Sequence, residues 1–281
     1  MFAEDFFYAG EYLSSFGFMI CNFESSSGSE VVSAGSTITF NTVPRHRGKK
    51  YSLTGTQYDE CIQSKFTIAK KVCLDEDMMI TKDEYRDLMR WLNRHEFLKF
   101  QILDESEDFI EPCYFNASFN VEKRLINGKL YGLDLTLETD KPFGYGEEIV
   151  MIFDLTKKDE DGEYKCTVID TSDEIGHIYP DLTITVGGNQ KADLRLTNLT
   201  FSTDDGDYME FYGCEPKEVI NVYGDTFIIK SNLDGHNLYD NFNFNFLRIE
   251  NTYDNRENVI TTTLPCTLEI KYRPIIKDTP N

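Results

Sequence analysis

Apolar and polar residues alternate along most of this chain. Leu133, Leu135 and Leu137 are separated by Asp134 and Thr136, the period of a strand with one face buried. The same rhythm runs through STITFNTV (36–43), SKFTIAKKV (64–72), FNASFNVEKRL (115–125), DLTITVGG (181–188), ADLRLTNLTF (192–201), TFIIKSN (226–232) and TLEIKYRP (267–274). Asn127-Gly128, Asp161-Gly162 and Asp234-Gly235 tolerate positive φ and suit hairpin turns. The pattern predicts a mainly antiparallel β chain without a fixed-period repeat.

One segment departs from that rhythm. In TKDEYRDLMRWLNRHEF (81–97), Tyr85, Leu88, Met89 and Leu92 fall on one helical stripe. Thr81 and Glu84 have the spacing of a capping box, and Arg90, Arg94 and His95 sit where the helix dipole favours cations. The stripe should pack on a sheet. Trp91, the only tryptophan, lies off its centre; it either widens the buried face or meets another subunit.

A second interruption concerns domain organisation. Alternation stops at Pro142, which has no amide hydrogen for a neighbouring strand, and resumes after Tyr145. Phe143, Gly144, Tyr145 and Gly146 are thus a turn inside one sheet or a seam between two bodies.

Length and composition allow either. The 281 residues, 40% of them apolar and 14% aromatic, can build one large core or two ordinary ones. VMIF (150–153) and FIIK (227–230) are too short to span a bilayer. The opening MFAEDFFYAG carries acids where an export signal carries basic residues, so folding in a cytoplasm is expected. Seven scattered cysteines without a CxxC pair suit a reducing compartment.

The net charge is −21. It divides between the halves, with 16 basic against 25 acidic residues in 1–149 and 12 against 24 in 150–281. Such a chain repels nucleic-acid phosphates; solubility alone would also account for the acidity. The dense basic patch is PRHRGKK (44–50), with Arg45, Arg47, Lys49 and Lys50, a solvated loop or a contact with an acidic neighbour. A serine- and glycine-rich loop occupies 24–36.

Reaction chemistry is thinly represented. No GxSxG, P-loop, HExxH or GxGxxG motif occurs, and the four histidines are isolated. The acidic runs at 159–161 and 204–207 lack EF-hand spacing. No catalytic residue, metal site or cofactor is therefore expected, and the chain reads as a non-enzyme.

The ordered set of motifs resembles the distal tail protein (Dit) family of siphophages that infect Gram-positive bacteria. FYAGEYLSSFGF, RGKKYSLTGTQYDECIQSKFTIAKK, TKDEYRDLMRWLN and YFNASFNVEKR…NGKLYGLDLTLETDKPFGYG are similar to its N-terminal domain. IYPDLTITVGG, LRLTNLTF, NFNFNFLRIENTYDNRENVI and CTLEIKYRP resemble its second domain. The serine-rich loop matches none of these motifs, and GDTFIIK aligns only by pattern. The resemblance implies an N-terminal β-sandwich or split-barrel domain with one helix (1–145), forming a ring like tail-tube subunits. It implies a galectin-like C-terminal β-sandwich (146–281), with the seam at Pro142, Phe143, Gly144, Tyr145 and Gly146.

It further implies a structural virion protein of the tail tip, a homo-hexameric hub ring without catalysis or a membrane span. The implied partners are the tail tube protein, the tape-measure protein and the tail-tip hub, with receptor-binding proteins or host glycans as further candidates. DNA would pass through the ring without being specifically bound. Arg45, Arg47, Lys49, Lys50, Trp91 and Arg94 are the candidate contacts between subunits or with partners. Two rival readings are a free carbohydrate-binding module, for which Tyr179, Tyr208, Tyr212, Tyr223 and Tyr239 are candidate platforms, and a tube or baseplate subunit of another phage-like particle.

Overall fold

A computed structural model describes residues 5–21, 37–45, 47–48, 50–71, 78–103, 113–201 and 207–278. It is mainly β, with one α-helix among the described residues, and divides into two compact units, 1–146 with 276–281, and 147–275. The serine-rich loop, Lys49, His46, Cys73, Asp204 and Asp205 lie outside the described residues.

The first unit is organised by a seven-stranded antiparallel sheet. Its strands are β1 (Asp5–Tyr8), β2 (Glu11–Tyr12), β3 (Phe18–Cys21), β6 (Gln63–Lys70), β7 (Leu98–Leu103), β8 (Phe115–Ile126) and β9 (Lys129–Thr139), in the order β2-β1-β7-β8-β9-β6-β3. β4 (Ile38–Arg45) and β5 (Lys50–Tyr58) form a separate two-stranded ribbon. The β8–β9 hairpin turns at Asn127 and Gly128, with φ of 51° and 80°, as that dipeptide predicts. Alternation does its expected work: Leu133, Leu135 and Leu137 are buried while Asp134 and Thr136 are less so.

Helix α1 (Lys82–Leu92) packs its apolar stripe into the core of this unit, with Leu88, Trp91 and Leu92 buried. Its start is the predicted capping box. The Thr81 hydroxyl accepts from the Glu84 amide at 3.3 Å, and the Glu84 carboxylate accepts from the Thr81 amide at 2.7 Å. Lys70 adds an ion pair to Glu84 at 2.8 Å. Trp91 widens the buried face. Its ring stacks on Phe6 at 5.5 Å and Phe16 at 4.5 Å, and its indole N–H donates to the Tyr8 carbonyl at 2.9 Å. Only 5% exposed, it has little surface left for another subunit. Burial of an indole is favourable when its polar atom finds an acceptor, and Tyr8 supplies one.

The second unit is a two-sheet sandwich. One sheet has β11 (Ile149–Leu155), β14 (Asp181–Val186), β17 (Val219–Tyr223), β18 (Ile228–Ser231) and β21 (Cys266–Tyr272), in the order β11-β21-β14-β17-β18. The other has β12 (Tyr164–Ile169), β15 (Ala192–Asn198), β16 (Met209–Cys214) and β20 (Glu257–Thr262), in the order β12-β20-β15-β16. Between these elements β10 is Gly144–Tyr145, while β13 (Gly176–Ile178) pairs with β19 (Ile249–Asn251). Leu182, Ile184, Leu268 and Ile270 from one sheet share a core with Val168, Leu194, Leu196 and Ile260 from the other.

Two of the three expected hairpin turns serve other connections. Asp161-Gly162 joins β11 to β12, which belong to opposite sheets, so it carries the chain across the sandwich. Asp234-Gly235 leads into the short 3₁₀ turn Leu238–Asp240. Positive-φ tolerance permits a tight turn; it does not choose which strand pairs next.

The first unit should depend strongly on its indole. Trp91→Ala should cost about 3–5 kcal/mol, as removal of a fully packed aromatic does. Thr81→Ala should cost about 1 kcal/mol for the lost cap. Urea unfolding of the two variants checks the ranking; equal small losses would contradict it.

Candidate interaction surfaces

The β4–β5 ribbon is amphipathic and, among the described residues, uncovered. Its pairs Ile38 with Tyr58, Phe40 with Thr56, Thr42 with Leu53 and Pro44 with Tyr51 lie on one face. Thr39 with Gln57, Asn41 with Gly55, Val43 with Ser52 and Arg45 with Lys50 lie on the other. A bulge after Asn41, where the Thr54 hydroxyl donates to the Asn41 carbonyl at 2.9 Å, preserves this division. Phe40 is 64% exposed, Tyr51 66% and Leu53 57%. Lone two-stranded ribbons are marginal in water, and exposed apolar faces of this kind mark contact sites.

Arg45 and Lys50 face each other at the ribbon's end, and Arg47 is held in the turn between them at φ 57°. All three are exposed. Among the described residues none of them enters an ion pair. Other basic groups are committed locally: Arg124 to Asp134 at 2.9 Å, Arg195 to Glu210 at 3.0 Å, and Lys165 to Asp159 at 2.6 Å. The Lys165 ammonium thereby fills the space between the carboxylates of the 159–161 acidic run. Arg45, Arg47 and Lys50 thus stand exposed at the tip of a strand pair.

Arg94 is exposed just beyond α1, and its Nε donates to the Trp91 carbonyl at 3.2 Å. The outer face of α1 mixes Lys82, Asp83, Arg86, Asp87 and Arg90, with Arg90 paired to Asp87 at 2.9 Å. It is not a cationic surface to set beside the ribbon tip.

Pro142 to Tyr145 are knit into the first unit. The Tyr145 amide donates to the Tyr114 carbonyl at 2.7 Å and its carbonyl accepts from the Tyr114 amide at 2.8 Å. Phe143 meets the Tyr145 ring edge-on at 5.9 Å. A Cβ on Gly144 would lie 2.3 Å from the Cys113 sulfur and 2.9 Å from the Phe115 ring, so a side chain is excluded there. The two units part after Gly146.

The second unit has an aromatic strip. Phe227 and Phe244 occupy the left-handed region at φ 54° and 57°, yet are 46% and 62% exposed. Bulky side chains rarely adopt that backbone. Phe227 meets Phe246 at 4.8 Å, Phe246 meets Phe242 at 5.1 Å, and Phe242 meets Phe244 at 5.5 Å. Tyr179 extends the strip, 5.0 Å from Phe227. Phe246 also walls a shallow, open depression lined by Asn198, Asp207, Tyr208, Arg248 and Glu250, with a cavity volume of only about 10 Å³. The Asn–Phe alternation of 241–246 does not disclose this strip, because positive φ at a phenylalanine leaves no mark on composition.

Titratable groups point to structure. Burial pushes the Cys166 and Cys214 thiols up to about 12, and those of Cys21 and Cys266 up to about 11, so they stay protonated at neutral pH. Among the described residues no cluster of three His, Cys, Asp or Glu side chains could hold a metal. Burial of Glu218 works against its ionised form. Hydrogen bonds from the Ser231 hydroxyl, the Glu215 amide and His236 more than offset this and hold its carboxyl below the ordinary 4.5.

Two domain models of phage tail proteins match the chain: a "phage tail protein N-terminal domain" over residues 1–141 and a "phage tail C-terminal domain" over 143–272. A solved structure with a similar fold is the SPP1 Dit (gp 19.1) protein, described as a paradigm of the hub adsorption apparatus in Gram-positive-infecting phages. It is 12% identical, with a TM-score of 0.65 over 96% of this chain and 98% of that one. Chains of the phage P2 baseplate, in its activated conformation with calcium, match at 10% identity and a TM-score of 0.48, over 96% of this chain and 98% of that one. No curated protein sequence matches the chain.

The Glu218 cluster gives a pH test. A carboxyl held below its ordinary value stabilises the fold above that pH and loses its contribution as pH falls through the folded value. Thermal unfolding should therefore show declining stability below about pH 5. Glu218→Gln should lower the neutral-pH midpoint and flatten that decline; an unchanged profile would contradict the assignment.

Proposed function

The chain belongs to the phage tail protein family, and from that premise we propose that it is the hub ring of a tail tip. Six copies would close head-to-tail into a collar between the tail tube and the distal tip. The first unit would make the ring, and the second would present a surface to partners. The role is assembly and coupling, without catalysis. The tube protein, the tape-measure protein and the tip hub would be its neighbours in the virion.

The observation that carries this reading is the amphipathic ribbon. A closed ring of identical subunits needs two different complementary patches on each copy. The apolar face of β4–β5 with its basic tip is one such patch, and an acidic surface on the next copy is the other. The excess negative charge also suits a channel through which DNA passes without sticking, because like charges repel. The fold shared with a hub protein supports the same assignment. The ribbon tip, with Arg45, Arg47, Lys49 and Lys50, is accordingly the proposed inter-subunit contact, and Arg94 borders the ring-forming unit.

Light scattering after size exclusion tests it. The wild-type chain should form a species six times the 32.5 kDa of one chain. Reversing Arg45, Arg47, Lys49 and Lys50 to Glu should weaken association at least tenfold, more at low salt than at high. Leu53→Ser with Tyr51→Ser should weaken it at both. Association at low salt that neither variant alters would overturn the ribbon as the contact.

A further inference from the structure

We infer that the edge strand β11 pairs with the β11 of a second copy of this chain, antiparallel and centred on Ile152. The contact is two-fold, unlike the head-to-tail contacts of a ring, and does not depend on that reading.

The residues of β11 are those of an inner strand. Ile149, Val150, Met151, Ile152 and Phe153 are consecutive apolar residues, a run typical of strands covered on both faces. Yet β11 ends its sheet, with β21 as its sole strand neighbour among the described residues. Ile149, Met151 and Phe153 reach the sandwich core but are only partly buried. On the other face Val150 is 48% exposed and Ile152 66%. The ladder to β21 runs from Ile149 with Tyr272 to Leu155 with Cys266, with no bulge to twist the edge away.

The other edges of the sandwich are blunted. β18 is four residues long and carries Lys230, while β12 sets Lys165 and Thr167 among its apolar residues. β16 is capped by chain that follows it: the Tyr212 amide donates to the Asn241 carbonyl at 2.8 Å, and the Asn243 amide to the Glu210 carbonyl at 3.1 Å. Short strands, charges and covers are the usual protection of sheet edges. Along β11 the one charge is Asp154, near its end, whose carboxylate accepts from the Thr156 amide and hydroxyl at 3.1 and 2.6 Å.

Charge at the two ends of the strand selects the occupant. Glu147 and Glu148 precede β11, Lys157 and Lys158 follow it, and all four are exposed. An antiparallel second copy brings the acidic end of one strand to the basic end of the other, twice over. A parallel copy would set like charges side by side, which is unfavourable. The register that overlaps the whole of β11 places Ile152 opposite its own symmetry mate. It sets Met151 opposite Phe153, Ile149 opposite Leu155 and Glu147 opposite Lys157. Residues opposite each other then share a face, so the apolar sides continue across the junction. Such a contact joins one patch to itself, and main-chain hydrogen bonds supply its directional part, as in strand addition.

Hydrogen exchange of β11 in the full chain tests this. Interfaces below about 1,200 Å² are commonly weak, so exchange is followed as concentration rises from about 1 μM to about 500 μM. The β11 amides that point away from β21 should slow at least tenfold. Ile152→Lys, placed opposite Glu269, should abolish that slowing while the thermal midpoint stays level. Lys157→Glu with Lys158→Glu should weaken it at least threefold, and adding Glu147→Lys with Glu148→Lys should restore it; these exposed positions keep the test valid if Ile152→Lys misfolds. In an equal mixture of ordinary and heavy-isotope-labelled chain, carbodiimide should join Glu147 or Glu148 of one chain to Lys157 or Lys158 of the other. No concentration-dependent slowing, slowing that Ile152→Lys leaves intact, or cross-links confined to single chains would overturn the inference. Reversing Arg45, Arg47, Lys49 and Lys50 to Glu should leave β11 protection unchanged, which separates this outcome from the fate of the ring. Loss of protection in that variant would assign the covering of β11 to the ring and overturn the inference.

Discussion

A two-stranded ribbon has two faces and no second layer of its own. The larger sheets hide most of their apolar side: the seven-stranded sheet meets α1 and a cluster of aromatic rings, and the two sheets of the sandwich cover each other. Along β4 and β5 the alternation is as regular, yet Phe40, Tyr51 and Leu53 meet water. Period-2 patterning defines a buried face only when something lies against it. That unmet requirement is what makes the chain read as part of an assembly.

Electrostatics sharpens the same point. In an acidic chain the basic groups are scarce, and several of those described are paired within their own unit, with Glu84, Asp134, Asp159, Glu210 and Asp207. Exposed pairs of this sort contribute little stability. The charges at the ribbon tip are different because they stand exposed at the end of a strand pair. They can steer and orient an acidic surface, while the apolar face behind them supplies the non-directional part of the attraction.

Much of this was legible in the residues, element by element. The capping box at Thr81 and Glu84 located the helix start, because cap chemistry is local. Asn127-Gly128 marked a true hairpin for the same reason. Asp161-Gly162 did not, since the strands on either side of it join different sheets, and that choice is made by long-range packing. Pairings such as Thr67 with Asp134 or Ile184 with Leu268 have no local signature at all. Trp91 stayed ambiguous until its indole N–H was seen to meet the Tyr8 carbonyl. Lys49, within the ribbon-tip patch, lies outside the described residues. The ribbon's alternation was visible from the start, but its lack of a cover was not, because exposure depends on what the remaining chain leaves undone.

The most direct measurement is hydrogen exchange along residues 38–45 and 50–58, followed on dilution from an assembled sample to separate chains. If a neighbouring copy covers the ribbon, its amides should exchange quickly in the separate chain and slow at least tenfold in the assembly, with α1 protected in both. Equal exchange of the ribbon in the two states, with the assembly intact, would contradict the account.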